Sequence, residues 1–273
     1  MSRSMRLTVA VLAVCCGLAA WAPAAVVETW ESAPLQTAFD GNADCTWVGD
    51  VGVFAIEAAD WPDGANVFAG TKAIRSHDVP ADGLYTILTN VSREAAMGRA
   101  TGWSVYASGN SIAVQSSYWF QMVLLSNTSD VAVIDSPDAT FAGYKLSVTT
   151  GDYLTLWKCA EGEAAWTALE QVSLGAAAVS HGWNFDVQRS AEGVWTVNHA
   201  TGLMGTTPVL DFTVADTSVD LDAPAWYSGM SWRTRNSATH EHKFGFDNFQ
   251  VVPEPLTASL LALGALAFRR RRR

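Results

Sequence analysis

The chain has 273 residues, 49% of them hydrophobic and 16% charged, with a formal net charge of −10. That apolar content excludes an intrinsically disordered chain, and the acidic balance excludes a protein that holds nucleic acid or anionic lipid through its surface charge. The charge is unevenly spread: residues 25–252 carry 26 of the 27 acidic residues but only 10 of the 17 basic ones.

At the N-terminus, Arg3 and Arg6 precede the soft apolar run LTVAVLAVCCGLAAWAPAA. A basic start, an apolar middle and the small-x-small exit Ala22-Pro23-Ala24 predict a secretory signal peptide over residues 1–24. The run is short and Pro23 closes it, which argues against a lasting anchor. Val14 is too bulky for the position before a lipidated Cys15.

Residues 25–252 are enough for one sizeable core. Their apolar residues recur mainly at period two. WNFDVQ sets Trp183, Phe185 and Val187 against Asn184, Asp186 and Gln188, and GVWTVNH continues the pattern with Trp195 and Val197. YWFQMVLL and YLTLWK are denser, as in strands buried on both faces. Turn pairs such as Asp40-Gly41, Asp82-Gly83, Glu161-Gly162 and Glu192-Gly193 separate the runs. Many short strands, frequent turns and no long helical pattern predict an all-β, two-sheet antiparallel sandwich in one domain. A short helix capped by Ser92 is expected over residues 92–100. In the last run, HKFGFDNFQVV, Phe244 and Phe246 are out of phase with Phe249 and Val251. A bulge at Asp247-Asn248 would restore one face, with the domain ending near Val252.

Chemistry-bearing patterns are sparse. Glu57 and Asp60 are the nearest loose carboxylate pair, and no phosphate loop or nucleophile elbow occurs, so no catalytic residue is assigned. His240 and His242 alternate in HEH, but two ligands do not make a metal site. Asp216, Asp220 and Asp222 form either a calcium-binding loop or a solvated acidic one; no other cofactor is indicated. Cys45 and Cys159 survive signal removal. They are either a disulfide, worth ~4–5 kcal/mol for so long a loop, or two separate thiols. Eleven of the 12 Trp residues lie in the central segment. Trp157, Trp183 and Trp195 sit in strand-like alternation and are assigned to the core. Trp61, Trp226 and Tyr227 stand among turn residues and are the candidate platforms for stacking a sugar.

The pieces ETWESA, WNFDVQRSAEGVWTV and FDNFQV together resemble a concanavalin A-like, laminin-G-like jelly roll. The resemblance implies two antiparallel sheets with the N- and C-terminal strands adjacent. This fold also hosts glucanases, but their paired-Glu strand motif, which sets two carboxylates ~5 Å apart, is missing here. The C-terminus is similar to the PEP-CTERM sorting signal: Pro253-Glu254-Pro255, then LTASLLALGALAF, then Arg269, Arg270, Arg271, Arg272 and Arg273. That resemblance implies an exported bacterial protein whose tail is read and processed by an exosortase, a membrane-embedded cysteine transpeptidase.

The physics of the tail agrees. Residues 256–268 would make only ~20 Å of helix at ~1.5 Å per residue, short of a ~30 Å hydrocarbon core. The arginines should stay cytoplasmic, giving a transient inner-membrane anchor. The expectation is a non-enzymatic surface or exopolysaccharide-matrix protein that binds polysaccharide. The rivals are a divergent glycoside hydrolase or polysaccharide lyase on the same fold, and a tail-anchored membrane protein with a periplasmic domain.

Overall fold

The computed structural model describes residues 26–28, 30, 46–58, 72–77, 79–91, 101–109, 119–135, 141–149, 153–163, 165–174, 182–202, 204–234 and 244–253. The expected signal peptide, the residues expected to form a helix at 92–100, His240, His242 and the tail beyond Pro253 lie outside them. Among the described residues no helix is long and apolar enough to cross a membrane.

The strands are β1 (Val26–Glu28), β2 (Trp47–Gly49), β3 (Phe54–Ala58), β4 (Lys72–Ser76), β5 (Gly83–Val91), β6 (Thr101–Gly109), β7 (Trp119–Ser126), β8 (Gly143–Thr149), β9 (Tyr153–Cys159), β10 (Thr167–Ser173), β11 (Trp183–Arg189), β12 (Val194–Thr201), β13 (Val209–Ala215), β14 (Trp226–Thr234) and β15 (Phe244–Pro253). One short helix, α1 (Val131–Asp135), precedes β8. The strands form two antiparallel sheets, the expected jelly-roll sandwich. The first has the order β13-β12-β11-β6-β15-β4-β3, with β1 also paired to β15; the second runs β10-β9-β8-β7-β14-β5-β2.

Alternation builds the core. Val187 lies opposite Trp103 and Val197, and Phe185 opposite Val105, so each pair turns to the same side of the first sheet. Phe120, Met122, Leu146, Val148, Leu154, Leu156 and Met230 face them from the second sheet, all fully buried. Aromatic rings knit the layers together. Phe120 stacks on Phe185 at 5.4 Å, Tyr144 meets Trp195 at 4.6 Å, and Trp195 stacks on Trp103 at 5.5 Å. Such pairs add ~0.5–1.5 kcal/mol beyond the area they bury.

The bulge in the last strand is present. Asp247 lies opposite Tyr106 and Gln250 opposite Ser104, leaving two residues across from one. Asn248 takes φ 54°, a left-handed conformation that asparagine tolerates better than most residues. The extra residue brings Phe246, Phe249 and Val251 to one buried face. Glu161-Gly162 and Glu192-Gly193 turn the chain between β9 and β10 and between β11 and β12, with the two glycines at φ 90° and 81°.

Candidate functional site

The two outer faces of the sandwich differ. On the first sheet, Asn198, Asp186, Ser104 and Gln250 lie side by side across four strands. This polar comb is half-exposed and bonded locally: Asn198 Nδ2 donates to the Asp186 carbonyl at 3.2 Å, Gln188 Nε2 to Asp186 Oδ2 at 3.4 Å, and Gln250 Nε2 to Asn248 Oδ1 at 2.6 Å. Burial raises the Asp186 carboxyl above its ordinary value, opposed by the Gln188 hydrogen bond.

The second sheet carries a covered polar row. Thr86 lies opposite Ser231, Ser231 opposite Gln121, Gln121 opposite Ser147, Ser147 opposite Thr155, and Thr155 opposite Gln171 at the edge. Each of the first five sits between two core residues of its own strand, as in Phe120-Gln121-Met122 and Leu154-Thr155-Leu156, so its side chain turns away from the core. Five strands at ~4.8 Å make a row about 19 Å long. Thr86, Ser231, Gln121, Ser147 and Thr155 are all at most 2% exposed.

Part of the row is bonded. Thr86 Oγ1 donates to Ser231 Oγ at 2.8 Å, and Trp157 Nε1 donates to Ser147 Oγ at 2.7 Å. Gln121 Oε1, Gln121 Nε2 and Thr155 Oγ1 are buried and have no hydrogen-bond partner among the described residues. A buried amide or hydroxyl in that condition costs ~1–3 kcal/mol.

The surroundings of the row are asymmetric. On one side Leu88 and Val123 pack with Ile134 of α1, Phe141 and Cys159 in a small second core. Trp166 Nε1 donates to the Ile134 carbonyl at 2.7 Å, and Lys145 Nζ sits 4.2 Å from the Trp166 ring centre. On the other side, Arg233 and Tyr153 are exposed, Tyr153 by 41%. The row contains no carboxylate. Asp50, beyond its Thr86 end, accepts the Thr86 backbone N–H at 2.8 Å.

The residues singled out from sequence do not assemble into one site. Trp226 is fully buried, its indole N–H held by the Leu221 carbonyl at 3.2 Å, so it belongs to the core and offers no sugar-stacking face. Tyr227 is half-buried against the second core, and Trp61 lies outside the described residues. Trp157, assigned to the core, instead stands half-buried on the outer face. Both parities of YLTLWK are apolar, and only Leu154 and Leu156 point inward. Trp183 and Trp195 are core residues as expected.

Asp216 accepts from the Tyr144 hydroxyl at 2.7 Å and from Ser218 Oγ at 2.9 Å, while Asp220 Oδ1 caps the Asp222 backbone N–H at 2.9 Å. The Asp216 and Asp220 carboxylates thus accept hydrogen bonds from neighbouring groups. Among the described residues no three His, Cys, Asp or Glu side chains gather as a metal site. Cys159 is buried, its thiol 3.8–4.0 Å from the carbonyls of Phe141, Ala160 and Glu163; Cys45 lies outside the described residues. Glu57 Oε1 is 3.3 Å from His77 Nδ1, and Asp60 is outside the description.

No family model matches the chain, and no curated protein matches it. Solved structures of similar shape include the VIP36 exoplasmic/lumenal domain in its Ca2+/Man3GlcNAc-bound form, 9% identical with a TM-score of 0.48 over 83% of this chain and 90% of that one. The legume lectin-like domain from Entamoeba histolytica is 9% identical with a TM-score of 0.42, over 72% and 87% of the two chains. The botulinum neurotoxin serotype D binding domain is 8% identical with a TM-score of 0.44, over 83% and 49%. These are likenesses of overall shape, and no residue role is carried over from them.

Proposed function

We propose that this chain is an exported bacterial protein of the cell surface or extracellular matrix. It is non-enzymatic, its sandwich binds polysaccharide, and a PEP-CTERM-like tail sorts it through an exosortase. The observation that carries the targeting part is the pairing of β1 with β15. Val26 lies opposite Val251, with paired Cα atoms about 5 Å apart. The residues that follow the export segment and those that precede Pro253-Glu254-Pro255 therefore leave the fold at one corner. Pro253 is the last ladder residue, and a proline lacks the N–H that would extend the ladder.

The binding part is supported by the covered polar row. Glycoside hydrolysis by paired carboxylates needs two of them ~5–9 Å apart, and the row supplies hydroxyls and an amide instead. Intact-mass measurement on protein from its native host, with fractionation of a variant lacking residues 253–273, tests the targeting. The expected results are loss of the Arg run in the mature protein and mislocalisation of the variant. A mature protein that keeps Arg269–Arg273 in the membrane fraction would instead establish a tail anchor and overturn the sorting proposal.

A further inference from the structure

We propose that the outer face of the second sheet, floored by Gln121 and Thr155 and bordered by Tyr153, binds a neutral polysaccharide chain lying across β7, β8 and β9. The inference deepens the glycan-binding reading and rests on it. A primary amide is planar, with an acceptor and a donor side by side. Two adjacent hydroxyls of a sugar ring present the complementary pair, so one diol satisfies both unpartnered atoms of Gln121. Thr155 lies two strands further on, ~10 Å away, and its hydroxyl both donates and accepts. It would contact a neighbouring unit of the same chain. Tyr153, Thr155 and Trp157 share one face of β9, because Leu154 and Leu156 between them are in the core. The exposed Tyr153 ring is the surface on which a sugar can stack.

The ligand is neutral because the row is. Its five covered members carry no charge, Lys145 is engaged by the Trp166 ring, and Asp50 is taken up by the Thr86 backbone; Arg233 is charged but stands outside the row, two residues beyond Ser231. The second core closes one side of the row, so the chain approaches from the side of Tyr153 and Arg233. Since the row is at most 2% exposed, binding must displace what covers it; among the described residues Trp157, half-buried and bonded to Ser147, is one side chain lying against the row.

Affinity electrophoresis of the exported protein through laminarin, glucomannan or alginate tests this, at low salt and at about 0.5 M salt. The expected result is retardation by a neutral polysaccharide that salt does not abolish, since an uncharged contact is not screened. Gln121→Met and Thr155→Val, both close in volume to the native residue, should each weaken it at least 10-fold. Tyr153→Ala should weaken it similarly, and Gln188→Ala on the opposite sheet should leave it unchanged. Retardation by alginate alone, lost at high salt, would overturn the neutral-ligand assignment. Binding that survives Gln121→Met and Thr155→Val would overturn the site while leaving the glycan-binding reading intact. No retardation by any of the three would count against both. Circular dichroism of each variant separates lost binding from lost folding.

Discussion

Gln121→Leu is expected to stabilise the free protein. Gln121 is fully buried, and neither of its amide heteroatoms has a partner among the described residues. Ser231 and Ser147, its cross-strand neighbours, bond instead to Thr86 and Trp157, so removing the amide orphans nothing. Leucine is of similar size and sits beside Val123, which is fully buried on the same face of β7. The gain is therefore the relieved penalty of an unsatisfied buried amide, ~1–3 kcal/mol. At roughly 2–4 °C per kcal/mol for a domain of this length, Tm should rise by about 2–12 °C. Thermal melts and urea titrations of wild type and variant, without added ligand, provide the assay. The urea midpoint should move up with the slope unchanged. A variant equal to or less stable than wild type, at unchanged slope, would refute the reasoning. It would mean that the amide is satisfied in the free protein and that Gln121 is a structural residue. Stabilisation combined with lost polysaccharide binding is the usual mark of a site kept at the expense of stability.

Gly229→Ala should destabilise by about 3 kcal/mol or more, because a β-carbon there would fall 2.0 Å from the Ile87 carbonyl oxygen on β5; urea unfolding measures it. Asn248→Gly should be nearly neutral, whereas Asn248→Val, forced to φ 54°, should cost ~1–2 kcal/mol by the same method. Burial, aided by the hydrogen bond to Asp216, holds the Tyr144 phenol well above its ordinary value of 10.0. Folding thus favours the neutral form. The associated stability is complete below about pH 10 and is lost as pH rises toward the raised folded value. Urea midpoints at pH 9, 10 and 11 should fall, and Tyr144→Phe should flatten that fall.

The fold was legible because its strands alternate. WNFDVQ and GVWTVNH place the same residues in the core that the period-two pattern selects, and the phase slip between Phe246 and Phe249 marks the bulge. The pattern weakens where both parities are apolar. In YLTLWK it assigned Trp157 to the wrong face, and in APAWYSG the turn residues before Trp226 suggested exposure for a side chain that closes the core. The polar row left a local trace, one uncharged polar residue between two apolar or aromatic ones in each of Tyr85-Thr86-Ile87, Phe120-Gln121-Met122, Leu146-Ser147-Val148, Leu154-Thr155-Leu156 and Met230-Ser231-Trp232. Read singly, each is ordinary alternation. Only the strand order β9-β8-β7-β14-β5, set by long-range pairing, brings the five into one line.

That strand order also separates the two tasks assigned to the molecule. β1 and β15 both belong to the first sheet, so both ends of the described chain lie in that layer. The second sheet contributes neither end, and the face with Gln121 and Thr155 is its far side from the first sheet. The two sheets are joined by the aromatic core of Phe120, Phe185, Tyr144 and Trp195, which holds the polar face at a fixed distance from the sorting corner. Tethering through β15 and binding through β7, β8 and β9 therefore use opposite layers of one rigid sandwich. A protein held at the cell surface by its C-terminal end would leave this layer untethered. Deleting the tail should then change where the protein goes without changing the retardation of the exported protein by a neutral polysaccharide. A tail deletion that weakened that binding would show that the two layers are not independent.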